Sequence, residues 1–186
     1  MSDREKIERA MDAAERPASA SIDTASRFDP RTLRAALGRF ATGVTVVTAC
    51  EANDPHAPVG ITANSFASVS LDPALVLWSA ARSSLRHRHF AQAHAFTIHV
   101  LADHQTDLAN RFTGRGAGFN DLDFTLNSHG VPIFEGVLAR FECITEATHE
   151  GGDHTIIIGR IEAVSTNDSG EPLVFAHGQF GKFFPT

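Results

Sequence analysis

The chain has 186 residues, 42% of them hydrophobic and 20% charged, a composition that suits one globular domain and excludes a disordered or fibrous chain. The net charge of −6 leaves no excess of positive charge for a phosphate backbone, so nucleic-acid binding is not expected. The first residues, Met1 to Lys6, are mostly polar, and no stretch reaches the ~18 apolar residues of a membrane span. We therefore expect a cytoplasmic protein that binds neither membrane nor nucleic acid.

The N-terminal residues differ in composition from the rest of the chain. Residues 3–16 are rich in Glu, Arg, Ala and Lys, and Pro17 with the small residues after it ends this pattern. Residues 1–27 are therefore predicted to be an extension, helical or disordered. The domain itself is expected to comprise residues 28–186.

The first half of the domain is predicted to be rich in strands. A helix is expected first, from Pro30 to about Arg39, because Asp29 can cap its free amides. β-Branched and apolar runs then predict strands at Val44–Thr48, Val59–Thr62, Phe66–Ser70, Ala74–Ser79 and Ala95–Leu101. Turns are predicted at Asn53–Pro55 and Leu71–Pro73, and short helices at Ser83–Gln92 and Asp103–Phe112, the second capped by Asp103.

The last third of the chain predicts a long hairpin. Apolar and charged residues alternate from Val137 to Ala147, which indicates a half-buried strand. Glu150–Asp153 interrupts the pattern before Thr155–Ile158 resumes it, and Pro172–Phe175 is predicted to be a final strand. Turn chemistry alone makes the segment around Gly152 a hairpin tip. Many strands with few short helices favour an antiparallel barrel over a parallel sheet.

Several kinds of site are not supported by the sequence. Gly114–Gly118 is rich in glycine but follows a helix pattern, so a flexible loop is favoured over phosphate binding. The ten histidines include no His-x-x-x-His pair with a partner acid, and no metal site is predicted. No Gly-x-Ser-x-Gly motif is present, and Cys50 and Cys143 are expected to be reduced and buried.

Two polar segments are candidates for anion binding. Thr62–Ser65 joins two predicted strands, and Ser79–Arg86 leads into a predicted helix with hydroxyls and two arginines. Hydroxyls and free amides at a helix start donate hydrogen bonds to phosphate, and guanidinium adds positive charge. Taken singly, each segment is better explained as a cap or a turn. Together with Ser68–Ser70, they can surround a planar ligand.

Three segments, in the same order, resemble the flavin reductase family of the FMN-binding split-barrel superfamily. They are Arg34–Thr48, Thr62–Pro73 and Gly151–His154, to which Gln105–Phe112 and Pro132–Gly136 add, so that the resemblance covers about 28–183. It implies a mainly β, antiparallel split barrel with a few short flanking helices that forms a homodimer. It also implies hydride transfer from NADH or NADPH to FMN or FAD, with reduced flavin delivered to the partner monooxygenase of a two-component system.

The resemblance also implies site residues by position. Flavin contacts are expected from Thr62, Ala63, Asn64, Ser65, Ser68, Val69, Ser79, Ala80, Ser83 and Ser84, with Arg86 and Arg111 as further candidates. His154 is placed near the nicotinamide, where we expect it to orient that ring while Asp153 fixes the imidazole. Such a site needs no acid, base or nucleophile, because the flavin carries the redox chemistry. Trp78 departs from the smaller residue usual in the family, and it either packs beside the flavin or fills the core.

Two other functions share the same features. One is a flavin-dependent ferric reductase, in which reduced flavin passes electrons to chelated iron. The other is a split barrel that binds flavin or haem without turnover, against which Gly152–His154 counts. The sequence leaves open the choices between FMN and FAD and between NADH and NADPH, the downstream acceptor, and the role of the N-terminal extension.

Overall fold

The computed structural model describes residues 29–51, 54–114 and 118–185, so the predicted extension 1–27 lies outside it. The chain divides into two units between Leu37 and Gly38. In the first unit, helix α1 spans Pro30–Leu37. Asp29 caps it, because its Oδ2 accepts hydrogen bonds from the Thr32 amide (3.1 Å) and the Thr32 hydroxyl (3.0 Å). These bonds lower the pKa of Asp29, and they confirm the predicted cap.

The second unit consists mainly of antiparallel strands. They are β1 (Thr42–Gly43), β2 (Thr45–Glu51), β3 (Asp54–Ala63), β4 (Ala67–Leu71), β5 (Ala74–Ala81), β6 (Ala95–Val100), β7 (Thr125–Leu126), β8 (Pro132–Ile133), β9 (Ala139–Gly151), β10 (His154–Thr166), β11 (Leu173–Ala176) and β12 (Gln179–Lys182). The helices are α2 (His87–Gln92) and α3 (Thr106–Arg111). Every strand pairing within the described ranges is antiparallel, as predicted. In the described residues, no helix is long and apolar enough to span a bilayer.

The largest sheet is curved by its own connections. Its strand order is β3-β2-β6-β9-β10-β5-β4, so β3 and β4 are its two edges. Only residues 64–66 separate the end of β3 from the start of β4. In a flat sheet the edges would lie about 29 Å apart, whereas the chain from Ala63 to Ala67 reaches at most about 15 Å. The sheet must therefore curve until its edges meet at this end, as in a barrel.

The core contains the one tryptophan of the chain. Along β5, Val76, Trp78 and Ala80 are buried while the residues between them are half-buried, so one face of the strand points into the core. The ring of Trp78 is fully buried and meets the rings of Phe90 and Phe96 at centroid distances of 5.1 and 6.2 Å. Its Nε1 has no hydrogen-bond partner in the described residues. Trp78 is thus a core residue, the second of its two predicted roles.

The β9–β10 hairpin has the predicted glycine-containing tip. Gly151 and His154 are paired, which leaves Gly152 and Asp153 as a two-residue turn. Gly152 has a φ of +68° and Asp153 does not have a positive φ. A positive φ at the first central residue alone is the pattern of a type II′ turn, for which glycine is the preferred residue. The tip is therefore a two-residue turn closed by the Gly151–His154 pair.

Some predicted boundaries were wrong. Asp103 does not cap α3, because its carboxylate pairs with Lys182 Nζ at 2.8 Å, which lowers its pKa, and α3 begins at Thr106. The helix predicted from Ser83 begins at His87, after a turn in which the Ser84 amide donates to Ala81 O.

Three smaller differences concern the other predicted segments. The helix predicted to reach about Arg39 ends at Leu37, and the turn predicted at Asn53–Pro55 lies partly in β3, while Asn53 itself is outside the described residues. Cys50 and Cys143 are unbridged as predicted, but only Cys143 is buried, and its burial raises the pKa of this thiol to about 12. The predicted loop Gly114–Gly118 is described only at its two ends.

A buried histidine joins two parts of the second unit. His99 is fully buried on β6, where its Nδ1–H donates to Val46 O at 3.0 Å and its Nε2 accepts from the Phe134 amide at 3.1 Å. Only the neutral ring with its proton on Nδ1 can make both bonds. Burial is the main reason why the pKa of His99 is lowered to about 3, and the charge of Arg140 lowers it further.

This histidine predicts a pH dependence of stability. The unfolded chain binds a proton at His99 below about pH 6.5, whereas the folded chain does so only near the lowered pKa. The contribution of His99 to the free energy of unfolding is therefore fully present above about pH 6.5. It decreases as the pH falls toward the lowered pKa, with a loss of about 2 kcal/mol at about pH 5. Urea unfolding at a series of pH values measures this slope. His99→Gln should be less stable but show a shallower slope, and an equal slope in both proteins would contradict the assignment.

Candidate functional site

A cleft of about 500 Å³ lies where three separate segments meet. They are the end of β3, the connection from β5 to α2, and the end of α3 with the residues after it. Its lining residues are Ile61, Thr62, Ser83, Ser84, Leu85, Arg86, Phe112, Thr113 and Gly114. This volume is within the range of small-molecule sites, about 300–1,000 Å³.

Arg86 brings positive charge to the cleft. Its Nη1 donates to Phe112 O and its Nη2 to Gly114 O, both at 3.2 Å, which holds the guanidinium across the cleft. These bonds use two of the five guanidinium donors. The Ser84 Oγ accepts from the Arg86 amide at 3.2 Å, so its own hydroxyl proton is left to donate. The Ser83 hydroxyl makes no hydrogen bond within the described ranges, and the cleft therefore offers several donors beside a fixed cation.

Thr62 fixes the end of β3 against the end of α3. Its hydroxyl donates to Ala109 O at 2.5 Å and its amide to Phe112 O at 3.2 Å. Gly60 is needed for the same packing, because a Cβ there would lie 2.5 Å from the Phe112 ring. The Phe112 ring also meets those of Phe119 and Phe134 at 5.0 and 5.7 Å. This wall of the cleft is therefore closely packed and fixed by hydrogen bonds.

A smaller apolar compartment adjoins the cleft. Its volume is about 170 Å³, and its lining residues are Val44, Thr62, Ala63, Asn64, Thr113, Phe175 and Phe180. Thr62 and Thr113 line both spaces. Phe175 on β11 and Phe180 on β12 pack edge to face at 5.7 Å. A flat, largely apolar ring with a polar substituent fits this combination of compartment and cleft.

Two predicted site residues, Ser65 and Ser79, bond to each other and line neither space. The Ser65 hydroxyl donates to Ser79 O at 3.2 Å and accepts from the Ser79 amide at 2.9 Å. This reciprocal pair attaches the β3–β4 loop to β5. In the same loop, Asn64 Nδ2 donates to Thr42 Oγ1 at 3.2 Å. These bonds hold the loop that borders the apolar compartment.

Four other predicted site residues lie outside both spaces. Ser68 and Val69 are exposed on the edge strand β4, where Val69 interrupts the register with β5. Ala80 points its side chain into the core and pairs its backbone with β10. Arg111 donates from both terminal nitrogens to Asn120 O, at 3.0 and 2.8 Å, and so holds a loop instead of lining the cleft.

The hairpin tip lies beside the β5–α2 connection. His154 pairs with Ala81, and the Arg82 amide donates to Asp153 O at 2.9 Å. His154 Nδ1 donates to Asp153 Oδ1 at 2.8 Å, and the two side chains are 42% and 93% exposed. The carboxylate thus keeps a proton on Nδ1, and the imidazole remains partly exposed. Neither residue lines the two spaces described above.

The sequence did not identify the aromatic residues of the site. Phe112, Phe175 and Phe180 border the two spaces, but apolar residues in strands and helices are usually core residues. Leu85 was also missed, although its side chain is 96% exposed. Among the described residues, no three His, Cys, Asp or Glu side chains are arranged to hold a metal ion.

Two comparisons of sequence identify relatives of the chain. A family model described as "Flavin reductase like domain" matches residues 37–183. The chain is 55% identical over 153 residues to "FMN reductase (NADH) SmoA" of Agrobacterium fabrum, covering 82% of this chain and 86% of that one. It is 47% identical to "Flavin-dependent trigonelline monooxygenase, reductase component" of Acinetobacter baylyi, covering 71% of this chain but only 42% of that longer protein.

A solved structure shows the same fold. The "NADH:FAD oxidoreductase SgcE6" of Streptomyces globisporus matches with a TM-score of 0.77 at 35% identity, covering 89% of this chain and 96% of that one. This likeness agrees with the mainly β, antiparallel fold and with the split-barrel class predicted from the sequence. Because the family model covers most of the chain and the identities are high, the chain belongs to the flavin reductase family.

Proposed function

We propose that the protein is an NAD(P)H:flavin oxidoreductase that passes a hydride from NADH to FMN, with NADPH and FAD as the alternative ligands. The observation that carries the proposal is the cleft, which is lined by Arg86 and by the hydroxyls of Ser83 and Ser84. The same connection is hydrogen-bonded, through the Arg82 amide, to the hairpin tip that carries His154. The names of the relatives support the same pair of ligands. The bound flavin supplies the ring that accepts the hydride, so the chain's own task is to bind and orient two ligands.

The cleft and the compartment beside it fit a flavin that carries a phosphate. Arg86 would hold the phosphate together with the hydroxyls of Ser83 and Ser84, because a charged donor and neutral donors converge there. Apolar surface for the ring is available from Leu85 and Phe112. The segment 83–86 precedes α2 and forms turns.

The other predicted site residues have three kinds of role in this proposal. Thr62, Ala63 and Asn64 contact the flavin from the compartment side. Ser65 and Ser79 hold the loop that carries them. The last group supports the site without lining either space, and it consists of Ser68, Val69, Ala80 and Arg111.

His154 is the proposed contact for the nicotinamide. Asp153 Oδ1 accepts a hydrogen bond from His154 Nδ1 at 2.8 Å, so the neutral ring in this proposal presents Nε2 as an acceptor. An acceptor in that position suits the carboxamide N–H₂ of a nicotinamide, and the His154 side chain is 42% exposed. In this role His154 orients a ligand and transfers no proton, while Asp153 keeps the imidazole in one tautomer.

The partner and the assembly are further parts of the proposal. Delivery of reduced flavin to a monooxygenase is supported by the name of the Acinetobacter baylyi relative. A homodimer is supported by the edge strand β4, on which Val69 and Leu71 are 45% and 95% exposed and whose outer side pairs with no strand of the described residues. Sedimentation should give twice the mass of one chain, and a monomer would rule the dimer out.

Location and domain limits complete the proposal. Cytoplasmic location is supported by the two unbridged cysteines, since disulfides are rare in reducing compartments; recovery in another cell fraction would contradict it. Residues 28–186 form the catalytic domain and residues 1–27 an extension. A chain that begins at residue 28 should keep full activity, and loss of activity would show that the extension takes part.

The first experiment tests the reaction itself. Purified protein mixed with NADH and FMN should consume NADH, as measured by the loss of NADH absorbance, and omission of FMN should abolish that loss. NADPH and FAD in the same assay rank the ligands. A chelated ferric salt added without oxygen reports whether iron can accept the electrons. Binding of flavin without FMN-dependent NADH loss would leave a non-catalytic flavin protein and refute the proposal.

His154→Ala tests the nicotinamide contact. Loss of an orienting group should lower kcat/KM for NADH about tenfold or more, because small misplacements of reacting atoms are costly. The Kd for FMN should change little. Asp153→Asn should cause a smaller loss, since the amide oxygen can still accept from Nδ1. His149→Ala, at an exposed position of the same hairpin, is the matched control, and wild-type kinetics in His154→Ala would exclude the role.

Arg86→Gln tests the phosphate contact with two ligands. Loss of a charge-assisted hydrogen bond worth about 1.5–3 kcal/mol should weaken FMN binding roughly 10–100-fold. Riboflavin lacks the phosphate, so its Kd should be nearly unchanged. Arg88→Gln, at an exposed position of α2, controls for the loss of a positive charge. Equal weakening of both flavins would mean that Arg86 only holds the carbonyls of Phe112 and Gly114.

A further inference from the structure

The connection from β5 to α2 is attached to the β9–β10 hairpin at both of its ends. At the first end, the Arg82 amide donates to Asp153 O at 2.9 Å. At the second end, His87 Nε2 is hydrogen-bonded to Thr155 Oγ1 at 2.8 Å. The four residues between these two links are Ser83, Ser84, Leu85 and Arg86, all of which line the cleft. The cleft wall and the hairpin tip are therefore held together by side-chain and backbone bonds.

The His87–Thr155 link is a specific contact between partly buried polar groups. Thr155 is 9% exposed, and the structure gives its hydroxyl this single partner among the described residues. A buried hydroxyl without a partner is unfavourable, so removal of the imidazole would leave Thr155 unsatisfied. A hydroxyl both donates and accepts, so the bond forms with either tautomer of His87. The contact is thus maintained without a particular proton position.

The two linked residues are the direct chain neighbours of proposed ligand contacts. Thr155 follows His154 on β10, and His87 follows Arg86 at the start of α2. Successive side chains of a strand point to opposite faces, and here Thr155 is buried while the His154 side chain is 42% exposed. Thr155 therefore holds this part of the β10 backbone from the buried side, while the His154 side chain points to the other, more exposed side.

We propose that His87 is a positioning residue that fixes the His154 tip relative to the wall of the flavin cleft. The inference rests on the proposed function, because it assigns His154 to the nicotinamide and Arg86 to the flavin phosphate. The His87–Thr155 hydrogen bond then acts together with the β5–β10 pairing in setting the distance between the two ligand sites. The paired strands β5 and β10 and the Arg82 link fix the tip at the first end of this connection, whereas the His87 bond fastens its second end, next to Arg86. His87 itself touches neither ligand in this proposal.

His87→Ala is the direct test. It should lower kcat at saturating NADH and FMN about tenfold, because hydride transfer depends on the relative placement of the two rings. The Kd for FMN should stay within about threefold of the wild-type value, because the cleft residues themselves are intact. His87→Gln should recover most of the lost rate, since its side-chain amide can bond to the Thr155 hydroxyl. A residue needed only for stability would instead change unfolding without this split between kcat and Kd.

Thr155→Val gives an independent test that keeps the buried shape. It removes the hydroxyl alone and should reproduce the loss in kcat, and it decides the question if His87→Ala does not fold. The double variant should lose no more than the larger single loss, because both changes break one bond. Arg88→Ala, one position along α2 and exposed, is the matched control and should keep the wild-type kcat.

The outcomes separate this inference from the proposed function. If wild-type protein consumes NADH with FMN while His87→Ala and Thr155→Val both keep its kcat, the positioning role is wrong and the proposed function stands. Additive losses in the double variant would also overturn the role. If wild-type protein shows no FMN-dependent NADH loss, the proposed function fails first, and the inference fails with it.

Discussion

The short β3–β4 connection is the constraint on which the site depends. In the order of the large sheet, β5 lies five strand spacings from β3, which is about 24 Å in a flat sheet. Yet Thr62 at the end of β3 and Ser83 just after β5 line one cleft. They can do so only because residues 64–66 pull the sheet edges together. The hydroxyl of Ser65 bonded to the Ser79 backbone secures that closure. The cleft is thus a product of sheet curvature.

The hairpin tip comes to lie beside the cleft wall by a different and more local route. β10 pairs directly with β5, from His154 opposite Ala81 to Arg160 opposite Leu75. The tip therefore lies beside whatever follows β5, whether or not the barrel closes. One long-range closure and one neighbouring strand pair together assemble the site. This division explains why residues from four parts of the chain converge without a buried catalytic cluster.

Local patterns in the sequence predicted much of this fold. Alternation predicted the strands, and Asp29 and Gly152 were correctly assigned as cap and turn residues because their effects span only a few positions. The cap predicted at Asp103 was wrong because Lys182, distant in sequence, takes its carboxylate. Alternation along β5 buries Ala80 in the same way as Val76. The resemblance to the family assigned Ala80 to the flavin site by its position alone, without regard to the direction of its side chain.

The residues that the sequence could not identify are those whose role depends on closure. Phe175 and Phe180 have the sequence pattern of core residues. Only the structure shows that they also line the apolar compartment. Arg86 and Arg111 were equal candidates from sequence, but the structure turns the first across the cleft and the second onto a loop carbonyl. No short-range rule distinguishes the two, because each guanidinium is fixed by carbonyls brought near by the fold.

The distribution of perturbed groups agrees with a site that positions ligands. Groups with strongly shifted pKa values often mark acid–base active sites. Here the two shifted furthest, to about 3 at His99 and about 12 at Cys143, are buried in the core and line neither the cleft nor the compartment. The main cause of both pKa shifts is the burial of the groups. The two groups therefore belong to the packed core and not to a site of proton transfer. The cleft instead offers fixed donors and apolar walls, as expected where a bound cofactor carries the chemistry.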